Sequence, residues 1–113
     1  MRMESVREPD IARNLKLIEW LKSEILTSVA EIFRMLTSSA RVSQDRIADC
    51  LASIIVGSYL LGRRLGLNYG AIEQKIANKI RLGILEEHDV ETNYGDLTEL
   101  NQHIKAYGNS MEC

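Results

Sequence analysis

Carboxylates at helical spacing can hold a hard divalent cation, so the acidic side chains are the first place to look for chemistry. Glu24 and Glu31 stand seven residues apart, with Ser28 between them on one helical face, and Asp45 and Asp49 stand four apart further along. Magnesium takes oxygen ligands at about 2.1 Å, so its ligands must converge within a few ångströms of one another. Positions i and i+4 meet that demand, whereas i and i+7 lie roughly 10.5 Å apart along a helix axis. Glu24 and Glu31 therefore do not share an ion. The metal-ligating set reduces to Glu31 and Asp49, with Asp45 as a helper. The competing role is ion pairing with Arg34, Arg46, Arg63 or Arg64, since charged residues on helices mostly face solvent. No residue is assigned a catalytic role.

The elements that must position these acids are helices. From Cys50 to Gly62 the chain carries no charge, and its apolar residues fall on every side of a helical wheel. A helix apolar all round is a buried helix, so the segment from Asp45 to Leu65 is expected to be the axis of the core. It is too short for the roughly 20 residues that cross a bilayer, and Asp49 and Arg63–Arg64 close it off. Ahead of it, after a frayed lead over residues 1–8, Pro9 fits a first helical turn. Ile11, Leu15, Ile18, Leu21, Ile25, Val29, Ile32 and Leu36 then recur at threes and fours, a single apolar stripe. Trp20 and Phe33 lie on or near it and are expected in the core. Thr37-Ser38-Ser39 ends that helix, Ser43 is a good N-cap for the central one, and Gly66 supplies a left-handed C-cap.

Asn68 caps a third helix with the stripe Ile72, Ile76, Ile80 and Ile84, loosened at its end by Gly83. Lys75, Asn78, Lys79 and Arg81 line its polar face. The acidic run Glu86–Glu91 reads as solvated. A last short helix starts at Asp96, with Glu99 three residues on as a capping box and Leu97, Leu100, Ile104 and Tyr107 as its buried side. The expected fold is all-α: a single domain over 1–113, its core a four-helix bundle over about 10–85, with an acidic segment and short extra C-terminal helix over 86–108.

Sixteen acids against fourteen bases give a net charge of −2, so no global basic field recruits nucleic acid. Cys50 and Cys113 are too few for a disulfide framework and are expected reduced. The polar N-terminal residues lack an apolar signal core, and a cytoplasmic location with no membrane contact follows as the expectation. No P-loop, nucleophile elbow, zinc spacing or dinucleotide fingerprint is present.

Three motifs carry a family likeness. Thr27-Ser28-Val29-Ala30-Glu31 resembles a helical E-E-x-x-E motif, Arg46-Ile47-Ala48-Asp49 stands in the place of E-x-x-D, and Lys75-Ile76-Ala77-Asn78 is similar to K-x-x-N. Arg63-Arg64-Leu65-Gly66-Leu67 looks like the R-L-G-I turn that precedes the last of these. Over about residues 15–82 the chain resembles the all-α nucleotide pyrophosphohydrolases of the MazG type, above all the short MazG-like proteins. The resemblance implies magnesium held by acids at a nucleoside triphosphate, with a water attacking to release pyrophosphate. It implies Glu31, Asp49 and Asp45 toward the metal and Lys75, Asn78, Lys79 and Arg46 toward the nucleotide phosphates. It departs from the family pattern at Thr27, Ser28 and Arg46, where the family has glutamates. A cation at Arg46 opposes a second cation there, or replaces it by charge-assisted bonds to Glu31 and Asp49.

Two functions follow. One is a magnesium-dependent nucleoside triphosphate pyrophosphohydrolase with a weakened site. The other is a non-catalytic helical module that binds a nucleotide or a protein partner, and a plain helical adaptor stands behind both. A central helix this apolar needs cover on all sides, so a homo-oligomer, dimer or tetramer, is expected. Ser53, Gly57 and Ser58 suit a close contact across a two-fold axis.

Overall fold

A computed structural model describes residues 8–38 and 42–112. The expected lead up to residue 7, Ser39 of the expected loop, and Cys113 lie outside them. The chain is all-α: α1 (Glu8–Thr37), α2 (Gln44–Arg64), α3 (Tyr69–Leu85), α4 (Asp89–Tyr94) and α5 (Asp96–Glu112), with no strand among the described residues. It divides after Tyr69 into two compact units.

The first unit is an antiparallel hairpin of α1 and α2. Asn14 meets Arg64 at one end, its amide donating to the Arg64 carbonyl at 3.2 Å and accepting from the Arg64 guanidinium at 3.2 Å. Glu31 meets Arg46 at the other end. Along α1 the covered line runs through Ile18, Leu21, Ile25, Ser28, Ile32 and Met35. That spacing is the 3.5-residue repeat of a packed helix pair. The expected stripe is thus turned by one position in its second half: Ser28 and Met35 are buried where Val29 and Leu36 were expected, and Leu36 is exposed. A small serine at the seam lets two backbones approach. On α2 the close approach falls at Gly57, where an added Cβ would lie 2.9 Å from Ile25 Cγ1. Gly57 is therefore spent inside the chain, and Ser58 donates to the Ile54 carbonyl at 2.7 Å.

The helix ends follow the expected chemistry. The Ser43 hydroxyl accepts from the Arg46 N–H at 3.3 Å as N-cap. At the other end Gly66 takes φ 97°, with Leu67 N–H bonded to the Gly62 carbonyl at 2.9 Å and Gly66 N–H to Arg63 at 3.2 Å. This is the paired bonding of a glycine-terminated helix, which the Cβ of any other residue would strain.

The expectation that α2 is the dry axis of the core does not hold within the hairpin. Only Gly57 and Gly62 of α2 are buried, while Leu51, Ile55, Val56 and Leu60 stand 40–58% exposed. One partner helix covers one side of a cylinder, and a helix apolar all round keeps its other sides open. Trp20 and Phe33, expected in the core, are exposed for the same reason.

In the second unit Ile80 is buried and Ile72, Ile76 and Ile84 are half-buried, the stripe read from the sequence. Gly83 does more than loosen the end of α3: an added Cβ would sit 2.6 Å from Leu97 Cδ1, so the glycine makes a seat for α5. The acidic run is exposed from Glu86 to Val90, as expected of a solvated segment. Part of it winds into α4, capped by His88, whose Nδ1 accepts from the Val90 N–H at 3.2 Å, and Gly95 turns the chain at φ 68°. Asp96 is not the expected cap of α5, because it already lies inside the helix. The Glu91 carboxylate accepts instead from the Thr98 N–H at 3.0 Å and from the Thr98 hydroxyl. An acid one helix back supplies what the local box was expected to supply. Helix α5 runs on to Glu112, and its expected buried side is open at Leu100, Ile104 and Tyr107.

Candidate functional site

The candidate acids divide between the facing helices of the hairpin. Glu31 lies on α1, on the α2-facing edge, with its side chain 22% exposed. Arg34, one turn on, donates from Nη2 to both carboxylate oxygens at 2.6 Å. Arg46 reaches across from the first turn of α2 and donates from its own Nη2 to Oε1 at 2.6 Å. The Ser43 cap fixes where that first turn begins and so aims Arg46. The bond from Arg34 does most to hold the Glu31 carboxyl below its ordinary value of 4.5; partial burial opposes it, and the charges of Arg34 and Arg46 add to it.

Asp45 and Asp49 flank Arg46 on α2, both exposed. Neither bonds to Glu31 or to either arginine. The structure therefore brings Glu31 together with Arg46 and Arg34, both named from the sequence as ion-pair partners for the acids, and leaves Asp49 out. The i, i+3 spacing of Glu31 and Arg34 is what puts the two side chains within reach on one helix. Glu24 is half-buried on the same α1 edge, away from this cluster, where it lines an open groove with Trp20, Ser53 and Val56. On α3, Lys75 and Lys79 are exposed, and Arg81 donates to Asn78 Oδ1 at 3.5 Å. These belong to the second unit.

The donor set does not fit a magnesium ion as it stands. Both oxygens of Glu31 already accept from guanidiniums, and no group of three His, Cys, Asp or Glu side chains converges among the described residues. A hard cation needs several oxygen ligands drawn together at once, and here two positive side chains hold the Glu31 carboxylate. Chemically the arrangement is an ion-paired clasp between helices.

A family model described as the MazG-like family matches residues 11–97. The chain belongs to the MazG-like family. The match takes in both helices of the hairpin, α3, α4 and the start of α5, so the whole clasp lies within the MazG-like region. No curated protein and no solved structure matches the chain. It is thus an all-α member of a nucleotide-related family, and among its described residues no helix is long and apolar enough to cross a membrane.

Proposed function

We propose that this MazG-like protein works by binding rather than by metal-dependent hydrolysis: a cytoplasmic helical module that takes a nucleotide through its phosphates. The observation that carries the reading is the Arg34–Glu31–Arg46 clasp, which occupies with two cations the position where the resemblance implies an acid-held metal. Metal-assisted hydrolysis uses a Lewis acid to lower the water's pKa, and arginine, always protonated, supplies none. The clasp instead ties α1 to α2. Its neighbourhood carries three acids against two bases, Glu31, Asp45 and Asp49 with Arg34 and Arg46, so it is no basket for phosphate. That role falls to Lys75 and Lys79, exposed one turn apart on α3, with Asn78 between them.

Calorimetric titration of magnesium, and then of a non-hydrolysable nucleoside triphosphate with and without chelator, tests this. The expected result is no ion binding at the clasp and nucleotide binding that survives chelation. Paired Lys75→Ala and Lys79→Ala substitutions should weaken that binding about tenfold or more, the worth of a lost charge-assisted bond. Magnesium-dependent release of pyrophosphate by the wild type would establish the weakened hydrolase in its place. If no nucleotide binds under either condition, the nucleotide reading is wrong.

A further inference from the structure

A cavity of about 290 Å³ opens on the α1/α2 seam, lined by Trp20, Leu21 and Glu24 of α1 and by Ser53, Val56 and Leu60 of α2. Four of these side chains are apolar, and the Glu24 carboxylate brings a charge among them. Glu24 is half-buried and has no hydrogen bond or ion pair among the described residues. Three and four positions to either side of it stand Trp20, Leu21, Thr27 and Ser28, none of them basic. Lys22, the cation nearest in sequence, donates to the two oxygens of Glu19 at 3.3 and 3.1 Å. Arg63 lines the next cavity along the seam, its guanidinium 5.8 Å from the Tyr69 ring centre. A carboxylate part-withdrawn from water beside apolar surface is costly until a cation meets it. Among the described residues the chain supplies none.

We infer that this cavity binds a small primary alkylammonium ion. Trp20 precedes Glu24 by four residues, so indole and carboxylate are neighbours on one face of α1. Together they are the two groups that recognise an organic cation. The carboxylate accepts charge-assisted bonds from the ammonium N–H groups, and the face of an indole attracts a cation better than any other aromatic ring. The Ser53 hydroxyl, half-buried on the opposite wall, is a further acceptor for an ion that carries three donors. Leu21, Val56 and Leu60 leave the alkyl chain an apolar surface to lie against. A metal ion is not served, because one carboxylate falls short of the several oxygen ligands that a hard cation takes. The volume stands at the low end for small-molecule sites, which suits a chain of about six carbons. The cavity holds none of Glu31, Arg46, Lys75 and Lys79, so the inference stands apart from the nucleotide reading, and either can fail alone.

Titration of hexylammonium chloride into the full chain tests it, followed by calorimetry and by the emission of Trp20. Wild type should bind about one equivalent with a Kd of about 1 mM or tighter, and the emission should change over the same range. Hexanol, with the same chain and no charge, should bind at least about tenfold more weakly. Glu24→Gln should weaken hexylammonium about tenfold or more and leave hexanol unchanged. Glutamine keeps the shape of the side chain, and far-ultraviolet circular dichroism of the variant checks that the helices remain. Unchanged hexanol binding there separates a lost charge from a lost cavity. No saturable binding of hexylammonium by the wild type overturns the inference. So does a Glu24→Gln variant that binds it as the wild type does, or hexanol bound as tightly as the ammonium, which would make the cavity an apolar cleft and no more.

Discussion

At Glu31 two guanidiniums share one carboxylate, and the direction of the resulting pKa shift fixes a pH dependence. The folded carboxyl lies below its ordinary 4.5, chiefly through the Arg34 bond. Its contribution to stability is therefore complete above that ordinary value and is lost as the pH falls through the lowered folded one. The hairpin should melt at lower temperature in acid, and Glu31→Gln should flatten that acid limb while lowering the melting point near neutrality by a few degrees. Glu91 is lowered too, chiefly by the hydroxyl bond from Thr98, so Glu91→Gln is the control that assigns the remainder of the limb to the second unit. Melting followed by circular dichroism across acid pH checks both. An acid limb unchanged in Glu31→Gln would mean that the clasp contributes nothing to stability.

Two glycines act at the level of elements, and the same substitution should have different outcomes at the two. Alanine in a helix gains about 1 kcal/mol over glycine, before any cost of space. At Gly57 the new methyl would meet Ile25 Cγ1 at 2.9 Å, an atom next to a branched Cβ that has little rotameric freedom in a helix. Overpacking of that kind costs typically 1–3 kcal/mol, so Gly57→Ala should be destabilising by about 1 kcal/mol net. At Gly83 the methyl would meet Leu97 Cδ1 at 2.6 Å, the free end of a flexible side chain that can turn away. Gly83→Ala should therefore lie within about 0.5 kcal/mol of wild type, the propensity gain offsetting the disturbance. Urea unfolding of both variants measures the contrast. Equal destabilisation would show that α5 presses on α3 more firmly than one leucine methyl implies.

For the whole molecule the question is what covers the apolar surface that a two-helix hairpin leaves open. Trp20 is the chain's only tryptophan and stands exposed on the hairpin, so its emission reports whether anything covers that face. On dilution through the dissociation range the emission should shift to the red as water reaches the indole, together with the fall in mass. An emission maximum that does not change as the mass halves would place the contact elsewhere on the chain.

Periodicity and capping chemistry were enough to read the helices from the sequence. The extents of α1 and α2, the Ser43 cap, the Gly66 turn and the isoleucine stripe of α3 all follow from local rules, because each depends on residues within a turn or two of one another. The motifs at Glu31, Arg46 and Asp49 were legible for the same reason. The MazG-like likeness that they carry agrees with the family match over residues 11–97. What no local rule contained was partnership. Only the tertiary structure decided that Arg46 and Arg34 both close on Glu31, that Glu91 and not Asp96 serves Thr98, and that Gly57 and Gly83 make room for Ile25 and Leu97. Burial was misread where the sequence counted apolar residues around α2, since a helix shows how much surface it must cover but not whether its own chain covers it. That depends on how many helices meet it and from which side, a property of packing at distances the sequence pattern does not encode.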